Sequence, residues 1–134
     1  MKVAIPAWAG LVSTVFDFAH FLVLVELDSG EEVSRSEFPL DENPSVLRAG
    51  ILSRHGVDVL ICGAISRPLA TAVAGYGIEI ISFVSGIVDE VLDAYLTGQL
   101  AEARFLLPGG PASGGRLWKA ANLSEMPRRQ IRGT

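Results

Sequence analysis

Residues 57–62 read VDVLIC, an apolar run broken only by Asp58. Stretches whose apolar residues recur at helical spacing lie on both sides of it. A strand apolar on both faces needs cover on both faces. No other segment limits the fold as much. It requires a central parallel strand inside a sheet that carries helices on its two sides.

The flanking signals set the boundaries. Asn43 and Pro44 supply an N-cap and a first-turn proline. Val46, Leu47, Ile51 and Leu52 then share one helical face. Arg54 and His55 stand in the last turn, where the helix dipole favours positive charge, and Gly56 follows as the terminating residue. After VDVLIC, Ser66 can cap a second helix with Pro68 in its first turn and Gly75 or Gly77 at its end. IEIISF is a further strand. Ser85 can cap a third helix whose apolar face is Ile87, Val88, Val91, Leu92, Tyr95 and Leu96, closed by Gly98.

The first forty residues have a different period. KVAIP reads as a short strand stopped by Pro6, and AWAGLVSTVFDFA as a loop over 7–19, long enough to carry a function. HFLVLVEL (20–27) and VSRSEFPL (33–40) form a hairpin around the DSGE turn. The second of these is poorly apolar, as an edge strand should be. The right-handed crossover rule then predicts a five-stranded mixed sheet in the order 3-2-1-4-5 with helices on both faces, a ribonuclease-H-like three-layer α/β fold. Its switch point lies between strands 1 and 4, where the loops after strands 1, 4 and 5 converge.

The expected domain is 1–107. Residues 108–134 begin with PGGPASGG and read as a flexible Gly/Pro-rich basic tail, in which LWKAANLSEM can make a short helix. Residues 1–98 carry 5 Lys/Arg against 13 Asp/Glu, and residues 99–134 carry 6 against 2. The net charge of −4 gives no reason to expect a nucleic-acid partner. No apolar stretch is long enough for a membrane span, and no leader pattern opens the chain. A single cysteine forbids an internal disulfide and any metal site built from several thiolates. A reducing cytoplasm is the expected compartment.

Few residues carry chemistry at the switch point. Ser66 and Arg67 open a helix whose free N–H groups can receive an anion, with plain N-capping as the alternative. Ser13, Thr14 and Ser85 can line the same crevice. Asp17, the only acid of the first loop, is either a turn cap or a cation-binding group. Cys62 is either a packed core thiol or a single metal ligand. His20 can be a ligand or a proton donor, whereas the helix dipole accounts for His55. Trp8 is either an aromatic lid or part of a satellite cluster. The phosphate-binding glycine loop, the nucleophile elbow and zinc-ligand spacings are absent. No acid lies on KVAIP, so the carboxylate cluster that two-metal nucleases need is missing, and no catalytic residue is assigned.

Three spaced segments, KVAIP…GLVSTVFDFAHFLVLVEL, GVDVLICGAISRPL and GIEIISFVSGIVDEVLDAYLTGQL, resemble the dinitrogenase iron–molybdenum cofactor biosynthesis family, which includes NifX, NafY and the C-terminal domain of NifB. The resemblance covers roughly residues 1–110. It implies a ribonuclease-H-like carrier or chaperone that holds an iron–sulfur or molybdenum-containing cluster and works with cluster-assembly proteins. The family motif similar to NQHFG, aligned on Phe16, puts its histidine at Val15 and its glycine at Asp17. The cysteine-bearing stretch similar to PGCCG corresponds to LPGGPASGG, which has no thiol. The residues themselves leave open a small enzyme acting on an anionic metabolite with His20 or Asp17 as acid–base, or an interaction module with a degenerate pocket.

Overall fold

The computed structural model describes residues 1–40, 45–98 and 100 and the short strand at 117–118. Strand β1 (Lys2–Trp8) pairs antiparallel with β3 (Phe21–Asp28) on one side and parallel with β5 (Val59–Ile61) on the other. Strand β4 (Glu31–Pro39) forms one edge beside β3. On the far side β5 pairs parallel with β6 (Glu79–Ile81), and β6 antiparallel with β7 (Leu117–Trp118). The order across the sheet is β4-β3-β1-β5-β6-β7, with β2 (Leu11–Val12) paired to β1 alone. The fold is mixed α/β, and the described residues include three α-helices, α1 (Arg48–Arg54), α2 (Arg67–Gly75) and α3 (Val88–Leu96).

Alternation along each strand sorts the core into two layers. Val3, Ile5, Val23, Val25, Val59 and Ile61 face α3 and meet Val91 and Leu92. Ala4, Leu22, Leu24, Leu60 and Ile80 face α1 and α2 and meet Leu52, Leu69 and Val73. The continuous apolar run in β5 is thereby explained, since its two residue sets serve different layers. Each such side chain contributes about 1.5–3 kcal/mol on burial.

The structure corrects the sequence expectations at several points. Among the described residues the sheet has seven strands, because β2 and β7 add to the five expected. Strand β1 runs through Pro6 to Trp8. The Pro6 carbonyl accepts from Ser13 N–H, so the proline nitrogen also faces away from β3. The pairing of β1 with β5 ends at Ala4, so the missing N–H leaves no β5 neighbour unbonded. The expected loop over 7–19 contains a β1–β2 hairpin turning on Ala9 (φ 53°) and Gly10 (φ 83°), the pair of left-handed residues that a two-residue hairpin turn requires. A 3-10 turn at Phe16–Phe18 follows.

Helix α1 starts at Arg48 after a 3-10 turn at Ser45–Leu47, and Leu47 is exposed instead of packed. The expected cap at Asn43–Pro44 lies outside the described residues. Helix α3 is entered through Ile87, not capped by Ser85. Its first amide, Val88 N–H, bonds instead to the Gly10 carbonyl of the hairpin turn. Of the expected helix in LWKAANLSEM, residues 117–118 form β7, and the rest lies outside the described residues, as does most of the proposed tail.

Candidate functional site

The loops after β1, β5 and β6 meet at the carboxyl end of the sheet. They do not leave a crevice between β1 and β5. Ala64 N–H donates to Thr14 O (2.7 Å) and Phe16 N–H to Ala64 O (2.9 Å), pinning the first loop across the end of β5. Val12 N–H donates to Gly86 O (2.9 Å), joining the same loop to the entry of α3. The contact at Gly63 is so close that an added Cβ would stand 2.4 Å from Thr14 O and 2.6 Å from Ser13 O. Only glycine fits there. The expected cleft rimmed by amide protons is therefore filled with backbone.

The anion position at the start of α2 is filled as well. Asp17 Oδ1 accepts from Ser66 N–H at 2.8 Å, and Asp17 Oδ2 accepts from Ser66 Oγ at 2.5 Å and from Ser45 Oγ at 2.6 Å. Ser66 Oγ in turn caps Leu69 N–H at 3.4 Å. The chain's own carboxylate thus sits where a ligand anion was expected, at the positive end of the helix. Burial alone would raise the Asp17 carboxyl, but the bonds from Ser45 and Ser66 together outweigh it and hold it below the ordinary carboxylate value. Arg67 lies exposed beside this network. Ser85 is half-buried and belongs to neither the Asp17 network nor the pocket described below.

Cys62 is fully buried, with 0% exposure. Desolvation, and secondarily the charge of Asp17, pushes its thiol well above the ordinary range. A thiol so placed packs as a small apolar group and offers no thiolate to a metal.

The remaining first-loop residues line an open pocket of about 580 Å³, formed by Trp8, Leu11, Val12, Ser13, Thr14, Val15, Phe18, Ala19 and His20. Trp8 is its fixed wall. The indole stacks on Phe21 (5.5 Å between ring centroids, 19° apart) and tilts against His20 (5.4 Å, 58°), yet stays 57% exposed. Phe18 is 78% exposed. The pocket brings together Ser13, Thr14 and His20 and separates them from Ser66, Arg67 and Cys62. Among the described residues, no group of three or more His, Cys, Asp and Glu is placed to hold a metal ion.

One residue that sets the site was not singled out from sequence. Arg48 is buried, and its guanidinium donates to Phe16 O (2.7 Å), Ala19 O (2.8 Å) and Leu40 O (3.3 Å) while lying 6.0 Å from the Phe16 ring centroid. It holds the carbonyls of the turn that Asp17 ties to Ser66 and Ser45. Its spacing from Ile51 and Leu52, three and four residues on, was the available signal.

The sequence profile of the dinitrogenase iron-molybdenum cofactor family matches residues 1–98. The chain belongs to that family. No curated protein sequence matches it. Among solved structures, it is similar to PH0822 with a TM-score of 0.71 and 22% identity, over 74% of this chain and 91% of that one. It is similar to MJ0327 of Methanocaldococcus jannaschii, which carries a dinitrogenase name, with a TM-score of 0.65 and 25% identity over 78% and 96%. The apo form of the orange protein of Desulfovibrio gigas gives 0.60 and 22% over 78% and 94%. Val15, at the position the family resemblance gives to a histidine, lies in the pocket wall.

Proposed function

We propose that this member of the cofactor family is a non-enzymatic binding protein of carrier type, with its cargo received in the first-loop pocket. The observation that carries this is the set of bonds that tie the pocket lining to its neighbours. The pocket's floor is tied by backbone bonds to β5 and α3, by Asp17 to α2 and by Arg48 to α1. A pre-formed cavity of this size suits a small ligand, since little ordering cost accompanies binding. Family membership supports cofactor biosynthesis as the setting, with cluster-assembly proteins as partners; an iron–sulfur or molybdenum-containing cluster is the cargo the family implies, a finer expectation that the pocket's own lining opposes. The sheet order supports a ribonuclease-H-like classification.

The enzymatic alternative loses Asp17 as an acid and retains His20, which lines the pocket. The Asp17 carboxylate accepts three hydrogen bonds and is held ionised, so it is a poor proton donor near neutral pH. Native mass spectrometry with elemental analysis after oxygen-free isolation tests the carrier role. A bound species near one per chain is expected, and Thr14→Trp, which fills the pocket from an exposed position, should remove it. Iron or molybdenum in that species supports the finer expectation. A chain that stays at its bare mass in every preparation and gains no thermal stability from any added small molecule overturns the carrier role.

A further inference from the structure

The cargo class can be narrowed from the pocket's own chemistry, an inference that rests on the carrier role above. An anionic cluster needs amide protons, cations or coordinating side chains to replace its water. Four of the pocket's amide protons are already used. Val12 N–H bonds to Gly86 O, Ser13 N–H to Pro6 O, Phe18 N–H to Val15 O and Ala19 N–H to Phe16 O. Among the described residues, no lysine or arginine lines the cavity. The thiol of Cys62 is enclosed elsewhere, and next door Ser66 N–H bonds to Asp17 and Leu69 N–H to Ser66 Oγ. The wall is mostly apolar: Trp8, Leu11, Val12, Val15, Phe18 and Ala19, against Ser13, Thr14 and His20.

We propose that the group received by this pocket is an uncharged, flat apolar one, such as an aromatic ring, seated against the Trp8 indole, and not a bare polyanionic metal cluster. An indole held from behind by Phe21 and exposed in front presents a rigid π-face at little entropic cost. The hydroxyls of Ser13 and Thr14 provide one or two polar contacts that orient such a ring, the usual pattern of a small-molecule pocket. The surrounding body also opposes an anion, since residues 1–98 carry 13 acidic against 5 basic side chains.

The test uses the full chain carrying Trp118→Phe, so that Trp8 is the one remaining tryptophan. It is titrated separately with prodan, a neutral naphthalene dye, and with tetrathiomolybdate under argon. Trp8 emission and dye emission are followed. Prodan is expected to quench Trp8 saturably, and Phe18→Ser should weaken its binding about tenfold, the loss expected from removing one aromatic contact. Phe18 is almost wholly exposed, so that variant keeps the fold. Tetrathiomolybdate should leave Trp8 emission unchanged apart from the linear loss due to its own absorbance. Saturable quenching by tetrathiomolybdate with none by prodan overturns the cargo class and keeps the carrier role. Failure of prodan to bind overturns the cargo class whatever tetrathiomolybdate does, and the carrier role stands or falls on the mass and elemental analysis above.

Discussion

Asp17→Ala should cost the protein about 1–2 kcal/mol. The carboxylate joins three separate elements through bonds of 2.8, 2.5 and 2.6 Å to Ser66 N–H, Ser66 Oγ and Ser45 Oγ. A hydrogen bond to a charged group contributes roughly 1.5–3 kcal/mol where water is excluded. Asp17 is only half-buried, so water takes over part of what the truncation removes, and Ser66 keeps its cap on Leu69. The net loss therefore falls near that of deleting one good helix cap, about 1 kcal/mol, with up to about 1 more for the lost tie to Ser45. For a domain of this size that lowers the melting temperature by roughly 4–12 °C. Asp17→Asn isolates the charge, since it keeps the shape.

The pH dependence of that pair has a definite sign. The folded Asp17 carboxyl lies below its ordinary value of 3.8, so its stabilisation is complete above the unfolded value and disappears as pH falls through the folded one. The gap between wild type and Asp17→Asn in urea midpoint should be constant above about pH 5 and shrink below about pH 4. An Asp17→Ala midpoint equal to wild type, or a gap to Asp17→Asn that persists unchanged at pH 2.5, refutes the tie.

Two further outcomes follow from the same corner. Gly63→Ala drives a Cβ to 2.4 Å from Thr14 O, so the first loop has to move. We expect a loss of about 1–3 kcal/mol, the usual cost of overpacking, and abolished prodan binding; a wild-type melting curve with intact binding contradicts the packing. Cys62 should react with a disulfide reagent only through global unfolding, so its rate should rise with urea along the full unfolding slope; fast, urea-independent labelling shows that the loop opens locally.

Much of the architecture was readable because its signals are local or periodic. The double-sided apolar pattern of β5, the Ser66 cap with Pro68, and the left-handed Gly56 (φ 73°), Gly77 (φ 81°) and Gly98 (φ 77°) all lie where the helix signals put them. The misreadings share a cause, which is that long-range backbone bonds decided them. Pro6 looks like a strand stop until the end of β5 is known, and Ser85 looks like a cap until Gly10 O takes the first amide of α3. Residues 11 and 12 form a strand only because β1 extends to Trp8. Asp17 and Ser66 are 49 residues apart, so no spacing rule links them.

That last pair bears on how a helix N-terminus should be read in any chain. Ser66 has the attributes of an anion receiver, namely a free-standing cap, a strand-to-helix turn and an arginine next in line. Whether it receives a ligand depends on whether an internal carboxylate reaches it first, and here one does at 2.5 Å. The consequence extends beyond α2. By drawing the 3-10 turn at Phe16–Phe18 toward α2 and Ser45, Asp17 fixes the side of the loop on which Phe18 and Val15 face the cavity. Arg48 holds the Phe16 and Ala19 carbonyls of the same turn. The same interaction that fills one candidate site therefore shapes the other, and it moves the place of recognition from polar helix amides to an aromatic wall at Trp8. Ligand preference in this chain should then follow the composition of residues 8–20 more closely than that of the β5–α2 turn.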